Sequence, residues 1–291
     1  MPLIECVPNF SEGVDSSVVS AICQAVREVH GLALLDTTSD ADHNRSVLSF
    51  AGRPAAVVNA AVAAVRAAVA RIDLTAHAGV HPRLGAADVI PFVPLAGSEM
   101  DAAVSCAHEA GERIWRELRV PVYFYEFAAR REECRRLESV RKLAPAGLAP
   151  DLGDTPHPTA GCAVVGARQT LVAWNINLES DDLAAARAIA KEIREANGGF
   201  PALKALGLSL PTRSQVQVSM NLVDYQRTSL PVIFDAVERL AKARGIRIAG
   251  SELIGLIPQA ALDATEGHDM RWLNLRPEMI LEKRLRLEGL K

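Results

Sequence analysis

The stretch His77-Ala-Gly-Val-His81-Pro82-Arg83-Leu84-Gly85-Ala86-Ala87-Asp88-Val89-Ile90-Pro91-Phe92-Val93-Pro94 passes from a polar loop into an apolar run. Gly79, Pro82 and Gly85 rule out a regular helix through its first part. After Asp88, the run Val89 to Val93 reads as a short buried strand. The loop therefore feeds a core strand, a rigid mount for functional side chains. Pro82 pushes His81 toward extended backbone. An imidazole there exchanges protons near neutrality, and Arg83 has the forked geometry that grips a carboxylate. His77 and His81 are four residues apart, but the loop character and the lack of a Glu after His77 argue against a zinc helix, so no metal is expected. On these residues alone, a structural loop histidine competes with a catalytic one. Asp88 either orients the imidazole or braces the loop.

Working outward toward the N-terminus, Leu3 to Val7 reads as a strand and Pro8 to Gly13 as a turn-rich loop. A helix capped by Asp15 or Ser16 runs to about Val29, with apolar residues at helical spacing. Leu32 to Asp36 and Ser46 to Phe50 read as strands around the polar turn Asp40 to Arg45. In that turn Asn44 and Arg45 offer donors suited to a carboxylate or amide, and His43 is read as solvated. Pro54 begins an alanine-rich helix reaching about Arg71.

Toward the C-terminus, Glu99 to Leu118 is a helix and Val120 to Tyr125 an edge strand. The mixed-sign run Arg130 to Arg136 reads as a solvated helix face, and Leu143 to Pro158 as a surface loop. Thr159 to Thr170 has two glycines spaced Gly-x4-Gly, which is neither a dinucleotide fingerprint nor a triphosphate loop. A tight hairpin is its plainest reading. Leu171 to Ile176 is then a strand, and a composition shift after Leu178 suggests domains of 1–178 and 179–291. The second part reads as helix to about Ala196, strands 203–208 and 215–222, helix Pro231 to Ala243, strand Arg247 to Glu252, a short helix, and a charged helix from Pro277. Strands and helices interleave in both parts, so the expected class is α+β, two sandwiches each with a mixed sheet and helices on one face. No internal repeat is strong in the residues themselves.

The bulk properties narrow the function classes. The chain has 291 residues, 49% of them hydrophobic, enough for a substantial core. Its net charge of -3 and pI near 6.2 exclude a general nucleic-acid binder. The N-terminal residues lack the pattern of a secretory signal, and the apolar run Ala55 to Ala70 is broken by Asn59 and Arg66, so no membrane association is expected. Five cysteines without Cys-x-x-Cys spacing fit reduced thiols in a cytoplasm.

Several segments together carry a resemblance. They are Glu5 to Gly13, Asn44-Arg45, His77-x-Gly-x-His-Pro-Arg-x-Gly-Ala-x-Asp-Val-x-Pro-Phe92, Gly166-Ala-Arg168, Asn175 to Leu178, Gln217 to Ser219 with Asn221-Leu222, and Gly250-Ser251 with Gly255-Leu256. The chain resembles the glutamate formimidoyltransferases, the folate-dependent formiminotransferase module. That resemblance implies a homodimer whose chains each hold two ferredoxin-like subdomains with folate in a cleft between them. It implies transfer of the formimino group of N-formimino-L-glutamate to N5 of tetrahydrofolate, a co-substrate, in histidine degradation. His81 matches the family's catalytic base. The family's folate-contacting segment falls on Gly161, Cys162, Ala163, Val164, Val165, Gly166, Ala167, Arg168, Gln169 and Thr170. Asn44, Arg45, Arg83 and Asp88 are the expected substrate-binding residues, and Arg168 is a further candidate carboxylate clamp. The competing expectations are formyl transfer to glutamate from 5-formyltetrahydrofolate and a folate-binding module without catalysis.

Overall fold

The computed structural model describes residues 2–95 and 97–290. The chain divides into two compact units, one ending at Gln169 and the other running from Thr170 to Gly289. The division falls before the position expected after Leu178. The reason is pairing: the strand Val172–Leu178 is hydrogen-bonded along its length to strands of the second unit.

The first unit opens with β1 (Ile4–Cys6) and β2 (Asn9–Phe10), two pieces of one interrupted strand. Helix α1 (Ser16–Arg27) follows, its N-terminus closed by the Asp15 carboxylate accepting from the Ser17 amide. Then come β3 (Leu32–Asp40), β4 (Arg45–Gly52), α2 (Pro54–Val69) and β5 (Ala87–Pro94). These strands lie side by side as β3, β4, β1 with β2, and β5, each antiparallel to its neighbour. Helix α3 (Met100–Leu118) then leads to β6 (Val122–Glu126), α4 (Leu137–Leu143) and β7 (Ala163–Ala167). Strand β7 inserts parallel between β5 and the edge strand β6.

Ile4, Phe10, Phe50, Ile90, Phe92, Ile114 and Phe124 are wholly buried in the core that joins this sheet to α1, α2 and α3. The opposite face is not bare, as helices on one side only would leave it. Val140 of α4 and Cys134 close a second apolar cluster over Val89, Tyr123, Tyr125, Cys162 and Val164. The charged run before α4 is a loop with one tight turn, Glu132–Cys134, rather than a helix. Burying Cys134 while Arg131 bonds the Asp151 carboxylate and the Ala149 carbonyl leaves no continuous helical path. Nor is Thr159 to Thr170 a hairpin. Val164 and Val165 are fully buried on opposite faces of β7, the pattern of an interior parallel strand.

The second unit runs β8 (Val172–Leu178), α5 (Leu183–Ile193), β9 (Leu203–Leu210), β10 (Gln215–Leu222), α6 (Leu230–Lys242) and β11 (Ile248–Ile254). The short helices α7 (Gln259–Asp263) and α8 (Leu281–Leu287) complete it. Its sheet order is β11-β8-β10-β9, wholly antiparallel rather than mixed. Val172, Trp174, Ile176 and Leu178 alternate into the core with Val216, Val218, Met220 and Leu222. Asn175, Asn177 and Gln217 take the other face, with Gln217 Nε2 donating to Asn177 Oδ1 at 2.8 Å. This is the β-α-β-β-α-β ferredoxin-like unit. The first unit repeats it, since β5, β1 with β2, β4 and β3 occupy the same order. A topological duplication is thus present that the residues do not display.

No helix among the described residues is long and apolar enough to cross a membrane. The five cysteines are free and buried.

Gly111 sits in the middle of α3, where alanine is ordinarily stabilising by up to about 1 kcal/mol. Here an added Cβ would lie 2.5 Å from the Phe124 ring. We therefore expect Gly111→Ala to lower stability by about 1–3 kcal/mol, seen as an earlier urea transition. A later transition would show that the Phe124 contact does not govern this helix.

Candidate active site

The site is built around Asp88, which is fully buried on β5. Asn9 pairs with Val89 while Phe10 pairs with Ala87, so Asp88 is the extra residue of a β-bulge. Bulges re-aim side chains. This one brings the carboxylate to Arg45 at the start of β4 and Arg141 on α4. Oδ2 accepts from Arg45 Nη1 at 2.8 Å and from Arg141 Nη2 at 2.6 Å, and Oδ1 accepts from the Leu84 amide at 2.7 Å. Burial alone would raise the Asp88 pKa, but the two guanidiniums and the amide outweigh it and hold it at about 2.

Arg45 is consumed by this arrangement. Its Nε and Nη2 both donate to Asn9 Oδ1, at 3.2 and 3.0 Å. Only 9% of the residue is exposed, so it serves as an internal partner rather than the substrate clamp expected from its turn. Asn44 likewise acts within the protein. Held at φ 44°, it accepts from the Gly13 amide at 2.9 Å and donates to the Ala78 carbonyl at 2.8 Å. Arg83 folds back on its own loop, bonding the Gly79 and His81 carbonyls, each at 2.7 Å from Nη2, and His77 Nε2 at 3.1 Å from Nη1. Asn44 therefore fastens the histidine loop to the β3–β4 turn, and Arg83 cross-links that loop to itself. Gly79 permits this closeness, for a Cβ there would lie 2.6 Å from the His43 carbonyl and 2.8 Å from Arg83 Nη2. The covering loop also buries His43, which was read as solvated; its exposure is 8%.

His81 is half-buried at the end of this loop, its ring 6.0 Å from that of His43. Its Nδ1 lies 2.8 Å from the Pro82 carbonyl. A carbonyl accepts only, so Nδ1 carries the hydrogen and Nε2 presents its lone pair. Burial first, then Arg45 and Arg141, push the imidazole pKa well below 6.5 and keep it neutral. The side chain poised for proton transfer is thus a neutral base in a positive field. Asp88 does not bond to this imidazole; it braces the loop through Leu84. Arg141 escaped the reading of the sequence, because it lies 53 residues from Asp88 in a segment without a motif. The described residues hold no cluster of three or more His, Cys, Asp or Glu fit for a metal.

The model for the formiminotransferase domain, N-terminal subdomain, matches residues 3–168, and that for the formiminotransferase domain matches 173–281. The chain belongs to the formiminotransferase family. It is 42% identical to a glutamate formimidoyltransferase of Streptococcus pyogenes, over 89% of this chain and 90% of that protein. A glutamate formimidoyltransferase of Thermoplasma acidophilum is 39% identical over 90% of each chain. A formimidoyltransferase-cyclodeaminase of Sus scrofa is 43% identical over 90% of this chain and 51% of its own length, so this chain spans about half of that relative.

Within the formiminotransferase fold, the segment Gly161 to Thr170 is mostly interior. Ala163, Val164, Val165 and Ala167 are fully buried, and β7 is paired on both sides. Their side chains are closed to any ligand. What remains open are the two ends. At one, the Cys162 amide bonds the Leu84 carbonyl at 2.9 Å, beside the histidine loop. At the other, Arg168 bonds the Phe92 carbonyl through its amide at 3.0 Å. The five residues of β7 separate the ends, on the order of 20 Å from Cys162 to Arg168.

Asp88→Asn leaves two buried guanidiniums without a counter-charge, and we expect it to cost about 3–5 kcal/mol in denaturant unfolding. The carboxyl pKa is depressed in the fold, so its stabilisation is present above about pH 4 and fades as the pH falls toward 2. An acid transition unchanged in the variant would show that Asp88 carries none of that stability.

Proposed function

We propose that the chain is a glutamate formimidoyltransferase, moving the formimino group of N-formimino-L-glutamate to N5 of tetrahydrofolate. The observation that carries the mechanism is the tautomer of His81, with Nδ1 committed to the Pro82 carbonyl and Nε2 free to accept a proton. N5 must lose its proton as it bonds to the formimino carbon, and His81 Nε2 takes that proton. The same nitrogen then returns it to the glutamate nitrogen as the carbon–nitrogen bond to glutamate breaks. Atoms balance: 5-formiminotetrahydrofolate and L-glutamate leave, and His81 is again neutral. Asn44 and Arg83 hold the loop, and Asp88 with Arg45 holds its far end, so the base is positioned before substrate arrives. The ends of the Gly161 to Thr170 segment that keep exposure, Gly161 and Arg168 to Thr170, are the places where that segment meets folate. The reading includes histidine degradation in the cytoplasm and a homodimer. The formimidoyltransferase names of the relatives support formimino transfer over transfer of formyl from 5-formyltetrahydrofolate or passive folate binding.

Purified protein with tetrahydrofolate and N-formimino-L-glutamate is expected to form 5-formiminotetrahydrofolate, followed by absorbance. His81→Ala should lose about 100- to 10,000-fold in kcat while still binding tetrahydrofolate. Undiminished turnover in that variant removes the proposed base.

The pH profile gives a separate check. His81 acts when neutral, and its pKa in the fold lies below the ordinary 6.5. The acid limb of kcat/KM should therefore have its midpoint below pH 6.5 and fall only beneath it. A midpoint above 6.5 contradicts a base sitting beside Arg45 and Arg141.

A further inference from the structure

Arg141 is the guanidinium of this site that the protein leaves unspent. Arg45 gives its donors to Asp88 and Asn9, and Arg83 gives its donors to its own loop and His77. The Arg141 side chain makes one hydrogen bond among the described residues, from Nη2 to Asp88. Its Nε is buried and has no partner there, though the side chain keeps 18% exposure. A buried orphan donor ordinarily costs stability, and such groups collect where a ligand completes them. Charge points the same way, since one carboxylate faces two guanidiniums and leaves one positive charge uncompensated. Arg141 is joined through Asp88 to the Leu84 amide of the histidine loop, and its charge acts on the His81 imidazole.

We propose that Arg141 binds the α-carboxylate of the formimino donor, completing its guanidinium with the substrate and setting the preference for an amino-acid donor. This rests on the formimidoyltransferase reading of the site. The argument for that carboxylate is chemical. The nitrogen bearing the formimino group is bonded to the same carbon as the α-carboxylate, so a donor seated against His81 brings that group alongside. The carboxylates of the folate tail lie beyond the aminobenzoyl ring. The planar fork of Arg141 can donate to a carboxylate through Nε and Nη, a geometry lysine lacks.

The test compares two donors in Arg141→Lys, which keeps a positive charge against Asp88 and so preserves the fold; Arg141→Met serves as a second variant, with melting curves for both. The donors are N-formimino-L-glutamate and N-formimino-4-aminobutyrate, which lacks the α-carboxylate. Arg141→Lys is expected to lower kcat/KM about 10- to 100-fold for the first and to stay within about threefold for the second. Equal losses for both donors would make Arg141 a structural brace and overturn the proposal, as would no loss for either. A third arm replaces tetrahydrofolate with tetrahydropteroate, which has no glutamate tail. A loss that vanishes with that acceptor assigns Arg141 to the folate tail and likewise overturns the proposal. If the native chain turns over no formimino donor, the functional reading fails by itself. Calorimetry with L-glutamate then decides the inference: a weakening of about tenfold or more in Arg141→Lys sustains it, and unchanged affinity ends it.

Discussion

One buried carboxylate, Asp88, ties four parts of the first unit together. It links the start of β4 through Arg45, the bulge of β5 on which it sits, the end of the histidine loop through the Leu84 amide, and α4 through Arg141. Ion clusters of this kind are poor sources of net stability, because removing the charges from water costs nearly what their attraction returns. Their effect is on geometry. Once Arg45 and Arg141 are buried, only arrangements that keep Asp88 between them are tolerable. The loop bearing His81 is thereby fixed at both ends, by Asp88 at Leu84 and by Asn44 and Arg83 nearer its start.

The two guanidiniums also act on His81, and magnitudes indicate what that action is for. A histidine of ordinary pKa is already about three quarters neutral at pH 7, so driving the pKa down gains little in the fraction of active base. It loses intrinsic basicity in exchange. A positive field around a general base is therefore costly if its purpose is to keep the base neutral. It makes sense as the provision for an anion, whose arrival compensates the field and restores basicity to His81 in the loaded site. Burial remains the larger cause of the low pKa, and on this argument the part owed to Arg45 and Arg141 is the part that a substrate anion offsets, which couples substrate charge to proton transfer through the same few residues.

Much of this was legible in the chain. The helical spacing of α1 and the proline that opens α2 each act locally, so pattern and structure agree there. The loop from His77 to Asp88 also declared itself, because glycine, proline and polar side chains concentrate in it. The failures share a cause. Arg45 looks like an exposed turn donor until β2 supplies Asn9, and His43 looks solvated until the histidine loop covers it. Arg141 lies in an unremarkable charged stretch, and only the tertiary fold carries α4 to β5. The bulge at Asp88 depends on how β2 meets β5, a register that neither strand encodes alone. Long-range pairing decided every residue that was misread.

The duplicated ferredoxin-like topology shows where the chemistry was added. Both units share the order of four antiparallel strands with two helices, and only the first continues into α3, β6, α4 and β7. That extension supplies Arg141 from α4, and it sets Gly161 and Cys162 beside the histidine loop at the entry to β7. It also lays an apolar cluster on the sheet face opposite α1 and α2. In the second unit the same face keeps Asn175, Asn177 and Gln217, with no inserted helix between them and no histidine among its strands. A symmetric scaffold thus carries an asymmetric site: Arg45 and Asp88 sit on strands of the shared topology, and Arg141, which completes their ion cluster, comes from the segment that breaks the symmetry.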